Sequence, residues 1–159
     1  MNPAGEDAAP ARRSYARHLD SLAAAARTGG CGAEAEAVAA VLRDPDPVMA
    51  ESAVVTHLDR RAARLPAGAA FPGWAHEMTA AVAGRAFPAR RLREWTLLKA
   101  LGHGDPWSAE ELTGASDWCQ RTAVRTVASA DALGLLAAGA RTWSVRNTAA
   151  QRLRRRTTT

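Results

Sequence analysis

The stretch LRDPDPVMAESAV, residues 42–54, closes one helical pattern and opens another. Proline lacks a backbone N–H and has a fixed φ, so it cannot continue a helix interior but suits the first turn. Asp46, directly before Pro47, is a good N-cap, because its carboxylate can accept a backbone N–H of that turn. A helix is therefore predicted from Pro47 to about Leu65. On the other side Ala37, Val38, Val41 and Leu42 recur at helical spacing from Ala33, which makes a shorter amphipathic helix.

The same reading extends outward. Tyr15, Leu19 and Leu22 share one face of a helix from Ala11 that stops at Gly29, Gly30 and Gly32. Beyond the loop PAGAAFPG, 66–73, helices are predicted over 74–82 and 89–101, the second carrying Leu92, Trp95, Leu98 and Leu101 on one side. GHGDP, 102–106, breaks the pattern. SAEE, 108–111, then reads as a capping box in which Glu111 reaches back to the Ser108 amide. Asp117 is the expected cap of a helix over 118–128, Ser129 begins one ending at Gly139, and the last runs from about Thr142 to Leu153. Nine helices joined by short turns result. Residues 1–10 are expected as a disordered leader and 155–159 as a disordered tail.

Composition agrees with an all-α chain. Of 159 residues 39 are Ala, the best helix former, while Ile is absent and Val numbers nine, too little strand-forming material for a sheet. The formal net charge of +5 looks like a nucleic-acid signal until the charges are located. Arg152, Arg154, Arg155 and Arg156 supply four of the 21 basic groups. Twenty of the 21 are Arg, which together with the Ala excess fits a GC-rich bacterial genome rather than selection for phosphate contacts. One asymmetry survives: residues 1–84 hold 8 basic and 10 acidic groups, residues 85–159 hold 13 and 6.

Short helices in succession invite a search for repeats. Met49 to Ala53, Leu92 to Thr96, Cys119 to Ala123 and Val145 to Ala149 share a larger residue followed four positions later by a small one, each near a helix-start signal. Such pairs let helices approach closely, and a hairpin that cannot bury both faces must stack on another. Here the sequence resembles HEAT-like repeats. LRDPDPVMAESAV has the Asp-Pro turn that opens their second helices, and TWSVRNTAAQRL, 142–153, has a Val-Arg-x-x-Ala-Ala core. The resemblance spans roughly 33–154. It implies a right-handed α-solenoid of about four helix pairs, with residues 11–28 as an N-terminal capping helix and 11–154 as a single domain.

No catalytic constellation emerges. His18, His57, His76 and His103 lie on different elements without metal-ligand spacing and are expected at surfaces or helix ends; no cofactor and no metal site is expected. Cys31 and Cys119 are expected reduced, Cys119 in the core, and with no signal-like or spanning segment the chain is expected in the cytoplasm. Trp74, Trp95 and Trp118 are expected to fill the core, Trp107 and Trp143 to be exposed.

By analogy with solenoids, the expected function is a non-enzymatic interaction or scaffold module, binding another protein or peptide along the second helices of its pairs. Candidate contacts are Glu51, Arg93, Arg121, Arg146 and Asn147, with Trp143 as anchor. The alternative is nucleic-acid backbone binding by Arg90, Arg91, Arg93, Lys99, Arg121, Arg125 and Arg146. A remoter one follows from the HEAT-like alkylpurine DNA glycosylases, which flank their lesion with tryptophans. Trp95, Trp118, Trp143 and Asp117 invite the comparison, but no motif matches closely enough to transfer a catalytic role.

Overall fold

Capping residues start five helices of the computed structural model, which describes residues 8–158. Asp46 accepts the Met49 N–H at 3.1 Å and Ser108 that of Glu111 at 3.3 Å. Ser116, Ser129 and Thr142 do the same for Cys119, Ala132 and Val145, each at 3.3 Å. Nine helices and no strand occur among the described residues, so the chain is all-α. They are α1 Ala8–Thr28, α2 Gly30–Val41, α3 Pro47–Arg64, α4 Phe71–Ala81, α5 Ala86–His103, α6 Ala109–Gly114, α7 Asp117–Thr126, α8 Ala130–Gly139 and α9 Trp143–Thr157.

Several boundaries differ from the sequence expectation. Ser116, not Asp117, caps α7: its backbone is extended, as a cap requires, while Asp117 sits in the first turn with its charge near the positive end of the helix dipole. Only one half of the capping box at Ser108 forms, since Glu111 makes no hydrogen bond back to it among the described residues. α1 begins at Ala8, within the stretch expected as leader, whose residues 1–7 lie outside the described residues. α9 continues through Arg155 and Arg156 to Thr157, where a tail was expected. Between α1 and α2 the chain turns at Gly30, φ +69°, and a Cβ on Gly29 would stand 2.3 Å from that of Ala33. Only glycine fits this junction.

The chain divides into two compact units, residues 1–92 and 93–159, with the boundary inside α5. In the first, α1 packs on α2 and α3, and α2 on α4. Leu22, Val38, Val54, Leu58, Trp74 and Met78 are fully buried there. In the second, α6 packs on α8 and α7 and α8 on α9, around Leu112, Cys119, Leu133, Leu136 and Val145. Ala50, Ala53, Ala123, Ala132 and Ala149 are all inaccessible, so the abundant alanine serves close helix contact rather than surface alone.

Arginines close helix ends. Arg85 donates to the Leu42 carbonyl at the end of α2. Arg152 donates to Val124 O in the last turn of α7, and Arg146 to Ala140 O at the end of α8, both at 2.6 Å. Each places a cation against carbonyls that lack an intrahelical partner, at the negative end of a helix dipole. In the second unit buried side chains also hold turns: Glu94 accepts the Ser116 N–H at 2.8 Å. Gln120, fully buried, donates to Leu112 O and Thr113 O at 3.0 Å and accepts the Arg141 N–H at 2.9 Å.

Candidate functional site

The residues singled out from sequence fall into different environments. In the first unit Glu51 lies 3.7 Å from the Arg85 guanidinium, and Arg91 pairs with Asp59 at 2.7 Å. Arg90 is exposed, its guanidinium 6.0 Å from the centre of the Phe87 ring. In the second unit Lys99 stands 5.8 Å over Trp95, where partial burial lowers its pKa. Arg146 is held by the Ala140 carbonyl. Arg93 is exposed and borders a cavity of about 180 Å³ with Thr96, Pro106, Trp107 and Glu111.

What the second unit does bring together lies on two neighbouring helices. Asp117, Arg121 and Arg125 recur every four residues on α7, and Trp143, Asn147 and Gln151 do so on α9, which packs beside it. Arg121 and Arg125 are exposed, Asn147 is half-buried, and Trp143 is 71% exposed. Arg121 Nε donates to Asp117 O at 3.2 Å, and Arg141 Nε lies 3.1 Å from Asp117 Oδ1. Trp107, expected to be exposed, is instead half-buried against the core together with Trp95 and Trp118. Those last two rings meet edge to face, 5.5 Å between centres.

The most concentrated polar cluster lies in the first unit and was not anticipated. Glu34 on α2 is 1% exposed, on the face that also buries Val38 and Val41. Its Oε1 accepts from His57 Nε2 at 2.8 Å, Arg61 Nε at 2.9 Å and Trp74 Nε1 at 3.0 Å, and its Oε2 from Arg61 Nη2 at 3.1 Å. One carboxylate thus ties α2 to α3 and α4. Burial pushes its pKa up, but the hydrogen bonds from His57, Arg61 and Trp74 and the charge of Arg61 outweigh that and hold it at about 2. A carboxylate only accepts, so His57 Nε2 must carry the proton it shares with Glu34. His57 is accordingly 4% exposed, not at the surface as expected. His18 likewise pairs inward, with Asp44 at 2.9 Å.

Beside this cluster a cavity of about 300 Å³ opens between α1 and α3. Leu19, Ala23 and Ala26 of α1 form its apolar side. Arg27 of α1 and His57, Arg60, Arg61 and Arg64 of α3 form the other. The α3 residues stand at i, i+3, i+4 and i+7, one helix face, a spacing readable in the sequence. Arg27, Arg60 and Arg64 are exposed and make no hydrogen bond or ion pair among the described residues. No group of three or more His, Cys, Asp or Glu side chains able to hold a metal ion occurs among the described residues. No helix there is long and apolar enough to cross a membrane. No known family model, curated protein or solved structure matches the chain.

Proposed function

We propose that the protein is a cytoplasmic, non-enzymatic interaction module built as a HEAT-like, right-handed array of helix pairs, and that it binds a protein partner across the exposed faces of α7 and α9. The observation that carries the binding face is Trp143, a large indole 71% exposed in the first turn of α9. Trp and Arg are among the side chains most enriched at interface hot spots; Asn147 follows Trp143 by one turn of α9, and Arg121 is exposed on α7, which packs on α9.

Alternate packing supports the array. α1 lies on α3, α2 on α4, α6 on α8 and α7 on α9, as successive hairpins stack. A 26-residue register in the second unit, the interval from Cys119 to Val145, supports it too. In that register Glu94 and Gln120 are buried equivalents, each accepting a backbone N–H of the turn that leads into a following helix, that of Ser116 before α7 and that of Arg141 before α9. Leu97, Ala123 and Ala149 then coincide, and all three are buried. Thr96, the small partner of Leu92, is exposed, whereas Ala53, Ala123 and Ala149 are buried.

The nucleic-acid alternative draws less support, since Arg91, Arg146 and Lys99 are engaged with Asp59, Ala140 O and Trp95. The test is affinity capture by the full chain from a lysate of its source. A stoichiometric protein partner lost on Trp143→Ala plus Arg121→Glu is the expected result, and capture unchanged by that double substitution rejects the face. Arg146→Glu is the wrong probe, because it also removes the closure of α8.

A further inference from the structure

We propose that the cavity between α1 and α3 binds a small phosphorylated molecule. This lies beyond the partner-binding reading, in the other unit and on other residues. The first observation is the charge of the cavity wall. Arg27, Arg60, Arg61 and Arg64 bring four guanidiniums to a space of about 300 Å³; no carboxylate lines it among the described residues, and the nearby Glu34 is already engaged by Arg61 and His57.

Helix dipoles offer a competing explanation, because Arg27 lies in the last turn of α1 and Arg61 and Arg64 in that of α3. Two helix ends bring about one negative charge in all, roughly half from each. Four guanidiniums less Glu34 and these two ends still leave about two positive charges without a counterpart. Arg60 and Arg64 are moreover four residues apart on one helix, where like charges repel. They are held together in a half of the chain that is acidic overall, so composition does not account for them.

The second observation is preorganisation. The Arg61 guanidinium is fixed in the wall by two bonds to Glu34, and His57 by a third, so these groups are ordered before any ligand arrives. Arg60, Arg64 and Arg27 are free to close over it from both helices. Planar guanidiniums bind phosphate oxygens in pairs, and a phosphate monoester or diphosphate carries the two or more charges the wall lacks. The size suits a compact ligand at the small end of ordinary pockets. Leu19, Ala23 and Ala26 supply an apolar surface for the body that bears the phosphate.

The experiment is calorimetric titration of the full chain with pyrophosphate, with citrate at equal ionic strength as a carboxylate of comparable charge. Saturable binding with Kd below about 1 mM is expected. Arg60→Gln plus Arg64→Gln, and separately Arg27→Gln, weaken it about tenfold or more, the loss of at least one charge-assisted hydrogen bond. All three side chains are exposed and unpartnered among the described residues, so far-UV circular dichroism of each variant is expected to stay native. Arg154→Gln plus Arg156→Gln, on α9, leaves binding unchanged. The proposal is overturned by absence of saturable binding, by binding indifferent to both cavity variants, by equal loss in the α9 variant, or by citrate binding as tightly as pyrophosphate.

Discussion

Glu34 receives hydrogen bonds from three residues on two other helices, and its carboxylate is kept ionised although it is buried. Its pKa in the folded chain is lowered from 4.5 to about 2, so the unfolded chain takes up the proton first as pH falls. The stability it contributes is complete above about 4.5 and is lost progressively as pH drops toward 2. Urea unfolding at a series of pH values checks this: Glu34→Gln should cost about 3 kcal/mol at neutral pH and flatten the slope in that acid window. An unchanged slope would assign the acid response elsewhere. Gln120 presents the uncharged counterpart in the second unit. Gln120→Leu leaves Leu112 O, Thr113 O and the Arg141 N–H without their partner, and thermal unfolding should report a loss of about 3 kcal/mol. Neither role was legible beforehand. Glu34 stands in line with Val38 and Val41 in the sequence, a charge on an apolar face, but its donors lie 23 to 40 residues away, a distance no local pattern bridges.

At the scale of elements the sequence was far more informative, because helix starts depend on local chemistry. Asp46 with Pro47, Ser108, Ser129 and Thr142 were read as starts and each caps a helix. α7 and α8, ten residues each, are too short to persist alone, so their caps and packing must hold them. Asp46→Ala should lower stability by about 1 kcal/mol, with Asp46→Asn close to the parent, both measured by denaturant midpoints. An equal cost for Asn and for Ala would mean that Asp46 acts by its charge alone. Helix ends were read less well. α9 outruns its apparent stop at Leu153, since nothing from Arg154 to Thr157 breaks a helix and arginines in the last turn favour the dipole.

For the molecule as a whole, the division after Leu92 left no mark in the sequence. It falls inside α5, a continuous helix, so no glycine, proline or polar linker announces it. Each unit has its own buried cluster, and Leu133 is fully buried in the second. Leu133→Ala should destabilise by about 3 kcal/mol through the cavity it leaves. Native-state hydrogen exchange should place the lost protection mainly within residues 93–158, while uniform loss over residues 8–158 would show one cooperative block. The candidate sites were the least legible part. Search by charge pointed to the basic half, 85–159, yet the four-arginine wall stands in the acidic half, where net charge hides it.

The five indoles also make the protein its own spectroscopic reporter. Trp74 is 1% exposed with its N–H on a carboxylate, Trp95, Trp107 and Trp118 are half-buried, and Trp143 projects into water. Emission should therefore resolve into a blue component shielded from acrylamide and a red one that is readily quenched. Trp143→Phe removes the red component and leaves the blue. With that assignment made, a partner seated on α9 would be seen as a loss of quenching without any label, while release of the Glu34 tie would be seen separately, in the light from Trp74.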